Sequence, residues 1–336
     1  VASEGSEQGR SRWWIGLAIS LAALALAFWG IQPARLASTL KTARLDLLPA
    51  ILGLQLLGIG LRARAWQSLL GQVSFRRALS ALNEGYLLNN LLPVRLGELA
   101  RAYLVQKGAE FGTAHALGSV LVERLLDVAI ALGALLLTLP RLAAPAWAQD
   151  IATGVGVGLA IGVAVLVALI LSRRAGPSIL ERLPGVAGEM LPRLVRGLTA
   201  GVQSAGTFPR LVPGALWLVS GWLCAWIQME LFLRMYGTSG SPAVWLFAVS
   251  VIAFGGAVPS SPGAVGVYEL AGSAGLRAVG YPAEVALSVA ASVHLNQILM
   301  TGLLGGWFLA KEGESIADLA RAARSLARRP VGSGGP

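Results

Sequence analysis

The residues best placed for chemistry are ionisable side chains set inside apolar sequence. Glu123, Arg124 and Asp127 fall within the apolar run 115–139. Glu123 and Asp127 stand one helical turn apart, and Arg124 lies three before Asp127, so a helix presents them together. A charge within a lipid-embedded helix costs about 2.5–3.5 kcal/mol on the insertion scale, so it faces a partner or a wet cavity. Two readings stand side by side: a cavity-lining cluster that pairs with Arg62 or Arg101, or an ion-pair clamp between helices. Arg95, Glu98 and Arg101 are also spaced by threes and share a face. Planar guanidinium groups suit a phosphate, with Glu98 orienting the arginine pair; the plainer alternative is a salt-bridged helix end.

A second set lies in the C-terminal half. Glu230 and Glu269 are lone acids in apolar surroundings. Either can serve as a proton-coupling carboxylate, or pair with Arg234 or Arg277. Glu269 has the stronger case for coupling because it follows a break in the apolar pattern. His294 shares the last apolar run with Asn296 and Gln297; it can carry a proton, but hydrogen bonding across helices is its expected role.

These residues need elements to hold them. Of 336 residues, 55% are hydrophobic and 13% charged, about half the charge a soluble surface requires. The apolar residues come in long runs, and a run of roughly 18 or more reads as a membrane-spanning helix. Spans are expected at 13–31, 47–61 (short, ending at Arg62 and Arg64), 115–139, 151–171, 211–236 and 283–309. The first is too long for a signal-peptide core, and no small-residue cleavage site follows, so it is expected to be retained.

Two stretches are too short and too interrupted to span. Residues 78–92 and 99–105 flank Pro93, and residues 243–258 and 265–279 flank Pro259-Ser260-Ser261-Pro262-Gly263. Each reads as a re-entrant hairpin of two half-helices, tolerated at membrane depth only where the broken backbone lines a polar cavity. Asn90, Pro93, Arg95, Gly97, Glu98 and Arg101 at the first break, and Ser260, Ser261, Pro262, Gly263, Gly266 and Glu269 at the second, form the candidate substrate site. Half-helix N-termini there attract anions. Arg62, Glu123, Arg124, Asp127, Glu230 and His294 are the candidate cavity-charge or coupling residues.

Arginine-rich loops favour the cytoplasm, which places the linker 172–210 and the basic tail inside, together with the N-terminus. The loop 32–46 dissents: it falls outside yet carries Arg35, Lys41 and Arg44. The element order span, span, hairpin, span then occurs twice with directions reversed, an inverted repeat. Both breaks read Pro-x3-Gly followed by Glu. The fold expected is an all-α, polytopic membrane helix bundle with two oppositely oriented re-entrant hairpins. Its parts are a cytoplasmic tail (1–12), a first repeat (13–171, hairpin 78–105), a linker with an interfacial helix (172–210), a second repeat (211–309, hairpin 243–279) and a basic cytoplasmic tail (310–336).

The net charge of +10 sits between apolar runs, where it sets topology and meets anionic headgroups at the cytoplasmic face, so nucleic acid is not an expected partner. One cysteine and two distant histidines make no metal site, and no nucleotide or hydrolase motif occurs. No cofactor is expected. The expected partner is a membrane lipid, phospholipid or polyprenyl-linked, in the plasma (inner) membrane. The candidate protein partners are a second copy and a lipid-modifying enzyme.

NNLLPVRLGELARAYLV (89–105), VERLLDV (122–128) and PSSPGAVGVYELA (259–271), in this order, resemble the lysylphosphatidylglycerol synthase transmembrane family, which includes the flippase domain of the multiple peptide resistance factor. The resemblance implies two re-entrant hairpins and movement of a lipid between leaflets. It points to Asn90, Pro93, Arg95, Gly97, Glu98 and Arg101, to Glu123, Arg124 and Asp127, and to Pro259, Pro262, Gly263, Gly266 and Glu269. Only a short basic tail follows Leu309, so no aminoacyl-transferase domain, and no lysyl-lipid synthesis by this chain, is expected. The expected function is that of a lipid flippase or scramblase rather than an enzyme. The alternatives are a membrane enzyme of the polyprenyl-phosphate-sugar glycosyltransferase type, with Asp46 its candidate acid, and an accessory partner of such an enzyme.

Overall fold

The computed structural model describes residues 17–92, 96–107, 109–142, 146–171, 186–258, 260–313 and 315–316. Among them are twelve α-helices and no strand: α1 (Leu17–Ala27), α2 (Pro33–Lys41), α3 (Leu48–Leu70), α4 (Phe75–Leu91), α5 (Gly97–Gln106), α6 (Thr113–Thr138), α7 (Ala146–Leu171), α8 (Val186–Ala205), α9 (Phe208–Met235), α10 (Pro242–Gly255), α11 (Val267–Ala278) and α12 (Ala283–Glu312). Proline in the first turn starts α2, α3, α9 and α10, where its missing N–H costs nothing. The Ser74 hydroxyl caps α4 by accepting from the Arg77 amide at 3.2 Å, and Gly313 in the left-handed region closes α12.

Four helical stretches among the described residues are long and apolar enough to cross a membrane: Leu45–Leu70, Ala146–Ala164, Phe208–Met235 and Ala283–Glu312. α6 matches them in length but carries Glu123, Arg124 and Asp127. Leu56, Ile161, Leu216 and Leu303 lie exposed on these stretches. Such an apolar exterior requires lipid around it, and the chain is an integral membrane protein.

Three differences from the sequence expectation have physical reasons. The second span does not end at Arg62 and Arg64; α3 continues to Leu70, because Arg62 meets acids on α6 instead of water. The segment 32–46 contains an additional helix, α2, which lies against α12. The helix expected in the arginine-rich linker is 20 residues long and packs on α6. A Cβ at Gly201 would lie 2.0 Å from the His115 carbonyl oxygen, and one at Gly118 2.5 Å from the Leu198 carbonyl oxygen, so small residues set that close crossing. The N-terminal tail, linker residues 172–185 and the tail beyond residue 316 lie outside the described residues.

The packing of α2–α6 recurs in α8–α12. α3 and α9 pack on each other. Around them, α3–α4 matches α9–α10, α4–α5 matches α10–α11, α5–α6 matches α11–α12, and α2–α12 matches α8–α6. The cross-pairs α4–α12 and α10–α6 also match. One apolar core joins α3, α4, α5 and α6 around Trp66, Leu82 and Leu104. A second joins α9, α10, α11 and α12 around Phe232, Ala248 and Leu276. Each broken pair of helices is thus seated in its own core.

Candidate functional site

Three arginines and three acids form one closed ring. Glu98, in the first turn of α5, meets Arg101 one turn on at 2.7 Å. The other end of Arg101 meets Glu123 of α6 at 2.9 Å. Glu123 lies 3.5 Å from Arg62 of α3, and Arg62 pairs with Asp127. Asp127 lies 3.1 Å from Arg124, and Arg124 returns to Glu98 at 2.7 Å. Charges alternate around the ring and sum to zero, so no member is left uncompensated in a low-dielectric interior.

Arg101 and Glu123 are fully buried, whereas Arg124 is 36% exposed and the most accessible of the three guanidiniums. The apolar run containing Glu123 and Asp127 therefore meets both of the arginines weighed as its partners. Two tryptophans support the ring. Trp66 lies beneath the Arg101 guanidinium at 4.7 Å, a cation–π contact, and donates its indole N–H to Ser119 at 3.1 Å. The Trp222 indole donates to Asp127 at 3.1 Å. The only sequence signal for either is an indole N–H that must find an acceptor inside an apolar helix.

The two breaks meet one another. At the first, the Asn89 side-chain oxygen accepts the Gly97 amide at 2.8 Å, starting α5. Asn90 donates to the Thr301 hydroxyl of α12 at 2.9 Å. At the second, Pro262–Ala264 is a short 3-10 turn resting on α4, and a Cβ at Gly263 would lie 3.8 Å from the Asn90 carbonyl oxygen. Gly263 and Gly266 hold φ of +70° and +88°, which glycine adopts without strain. The Ser261 amide donates to the Ser20 hydroxyl of α1 at 3.0 Å, with Ser260 partly buried beside it. Pro93, Arg95 and Pro259 lie outside the described residues.

Glu269, in the first turn of α11, accepts the Gly266 amide at 2.6 Å and meets His294 Nδ1 at 2.6 Å. Its partner is therefore His294 and not Arg277. His294 Nε2 lies 2.7 Å from the Gly263 carbonyl oxygen, and the ring stacks on Tyr268 at 4.1 Å. The Tyr268 hydroxyl donates to Gln297 at 3.2 Å; Tyr268 and Thr301 were not singled out from sequence. Glu230 stands apart from both groups. It meets Arg234 at 2.5 Å and accepts from the Gly240 amide and the Trp245 indole at 2.9 and 2.8 Å, so it fastens the turn between α9 and α10. Asp46 is exposed and paired with Arg44 at 2.8 Å.

The model of the family described as the lysylphosphatidylglycerol synthase TM region matches residues 13–305. The chain is also similar to Glycosyltransferase AglD of Haloferax volcanii, 26% identical over 321 residues, covering 83% of this chain and 50% of that protein. It thus spans about half the length of that relative. No solved structure matches. With the three motifs all inside the matched segment, the chain belongs to the lysylphosphatidylglycerol synthase TM region family.

Proposed function

We propose that the protein moves a lipid with a phosphate-bearing head group between the leaflets of the plasma (inner) membrane, holding the head group where the two helix breaks meet. The observation that carries this reading is the contact of the second break with the end of α4, where Asn89 also holds the Gly97 amide, one residue before Glu98 of the charge ring. α5 and α11 both begin at that junction, so their N-terminal dipole ends favour an anion there. Arg124 is the reachable guanidinium for a phosphate oxygen, with Arg95 in the preceding break. The acyl chains stay against the apolar exterior.

Helices of 17 and 10 residues, and of 14 and 12 residues, make each hairpin too short to cross twice, since a crossing takes about 20 residues. The recurrent packing of α2–α6 and α8–α12 supports an inverted repeat divided between α6 and α7, with residues 146–171 and 186–205 going to the second repeat instead of the first repeat and the linker; in this reading the hairpins enter from opposite faces and both termini are cytoplasmic.

The test is leaflet exchange in proteoliposomes with fluorescent phospholipids of several head groups and an impermeant quencher. Wild type is expected to exchange at least one class of lipid, and Arg124→Ala to slow it at least tenfold, about 1.4 kcal/mol. Wild type that exchanges no lipid, including those of a total membrane extract, would overturn the proposal.

The name of the Haloferax relative favours one second reading, in which the lipid carries a sugar and the chain takes part in its transfer. Turnover of a lipid-linked sugar, lost in Asp46→Asn, would establish that reading over transport.

A further inference from the structure

The partners of His294 fix how many protons the Glu269–His294 couple holds. A carbonyl oxygen only accepts, so Nε2, 2.7 Å from the Gly263 oxygen, must carry a hydrogen and donate it. Glu269 Oε2 is occupied as acceptor of the Gly266 amide. Nδ1 and Oε1 stand 2.6 Å apart, a separation at which two bare lone pairs repel, so a hydrogen lies between them. On either atom, the couple holds one proton more than a neutral imidazole beside a carboxylate. That proton makes the couple neutral overall, which suits side chains only 4% and 13% exposed.

The first half of the molecule supplies the contrast. There, the acid in the first turn of α5, Glu98, is held by Arg124 of α6. Arg124 and His294 stand equally far along their helices, counted from Thr113 and Ala283. One acid is held by a guanidinium that stays charged, the other by an imidazole that can load and unload a proton.

We propose that Glu269–His294 is a proton-binding site that latches the second helix break to α12, and that releasing this proton frees the break and couples lipid movement to a proton gradient. The coupling rests on the lipid-transport reading; the proton site does not. In the loaded state one chain of hydrogen bonds runs from the Gly263 carbonyl through His294 and Glu269 to the Gly266 amide. The hydrogen ion leaves to water on one side of the membrane and is replaced from water on the other, with nothing oxidised or reduced. Its departure would set the Nδ1 lone pair against a carboxylate, so the one hydrogen left on the ring moves to Nδ1 and is donated to Glu269; Nε2 is then bare beside the Gly263 carbonyl oxygen, and the turn loses its tie to α12. Because that turn faces Asn90, the head-group junction opens with it.

The groups around the couple are few. On α11, Tyr268 stacks on the imidazole, and from the end of α9 Tyr236 reaches α12 at Ser292, 2.6 Å away. Among the described residues of α2, α3, α4 and α10, no titratable side chain forms a hydrogen bond or ion pair with Glu269 or His294. A change in its proton occupancy is therefore felt first by the break itself.

With only two histidines in the chain, His115→Gln leaves His294 as a single reporter for nitrogen-15 spectroscopy in detergent. Both ring nitrogens are expected to be hydrogen-bonded at neutral pH, with a strongly deshielded hydrogen shared with the carboxyl, a signal lost in Glu269→Gln. A bare ring nitrogen at and below neutral pH would overturn the proton site. In proteoliposomes with an imposed pH difference, wild type is expected to accumulate labelled phospholipid in one leaflet, in a direction that reverses with the gradient. Glu269→Gln and His294→Gln should lose at least nine-tenths of that response, taken as a ratio to each variant's own exchange at equal pH. A gradient response undiminished in both variants would overturn the coupling. A loaded couple in the spectrum, with no lipid exchange by wild type, would overturn the transport reading and its coupling while upholding the site.

Discussion

Arg101→Leu is expected to destabilise the folded protein by about 3–5 kcal/mol, the cost of leaving a buried charge without its partner. Arg101 has both ends of its guanidinium on carboxylates and is 1% exposed. Without it, Glu123, which is fully buried, is left with Arg62 at 3.5 Å among the described residues, and Glu98 loses one of its arginines. The Trp66 ring also loses the cation above it. The double variant Arg101→Leu, Glu123→Leu should recover most of the loss, because Glu98, Arg124, Asp127 and Arg62 still alternate in sign and sum to zero. Well-packed apolar replacements of a buried ion pair are often neutral or stabilising. Unfolding midpoints in detergent for the wild type, both single variants and the double variant check this. A double variant as unstable as either single one would show that the ring is not an electrostatic unit.

Gly97→Ala is expected to cost about 3 kcal/mol, at the upper end of overpacking effects, and to abolish lipid exchange. A Cβ at Gly97 would lie 1.9 Å from the Gly85 carbonyl oxygen and 2.6 Å from the Asn89 side-chain oxygen. The first is helix backbone, and the second is engaged by the Gly97 amide. Neither gives way without parting α4 from α5, which breaks the seat of Glu98 and the contact with the second hairpin. Gly53, on the lipid-facing surface of α3, has nothing within 4 Å of the same position. Gly53→Ala should be neutral or stabilising by up to about 1 kcal/mol through helix propensity. Measured side by side, the two variants separate a crowding effect from a general intolerance of alanine.

The residues that break helices were legible in the sequence because proline and glycine act locally. Pro262, Gly263 and Gly266 interrupt the backbone whatever surrounds them, and α10 ends before them while α11 begins directly after. The spacing of Glu123, Arg124 and Asp127 likewise shows that they share a face. Their partners were not legible to the same degree, because Arg62, Arg101 and the two tryptophans arrive from other helices, and spacing along one helix carries no information about its neighbours. The end of α3 was misplaced for a related reason. Hydropathy counts Arg62 as a boundary, but an arginine neutralised by Glu123 and Asp127 is no longer one. A helix in the linker was expected, but not its docking on α6, since what seats it there is a set of small residues that hydropathy does not register. Glu230 looked like its counterpart Glu269 in sequence, a lone acid in an apolar run. Only the fold separates them, turning one onto a loop and the other onto a histidine.

The central claim is that both helix breaks contribute to a single head-group site. A phospholipid bearing a photoactivatable group on its head group, incorporated in proteoliposomes and mapped by mass spectrometry after irradiation, tests it most directly. Adducts concentrated on residues 89–98 and 260–269 together, and suppressed by an excess of unlabelled lipid, are the expected result. Adducts confined to one break, or spread over the apolar exterior and indifferent to competitor, would contradict it.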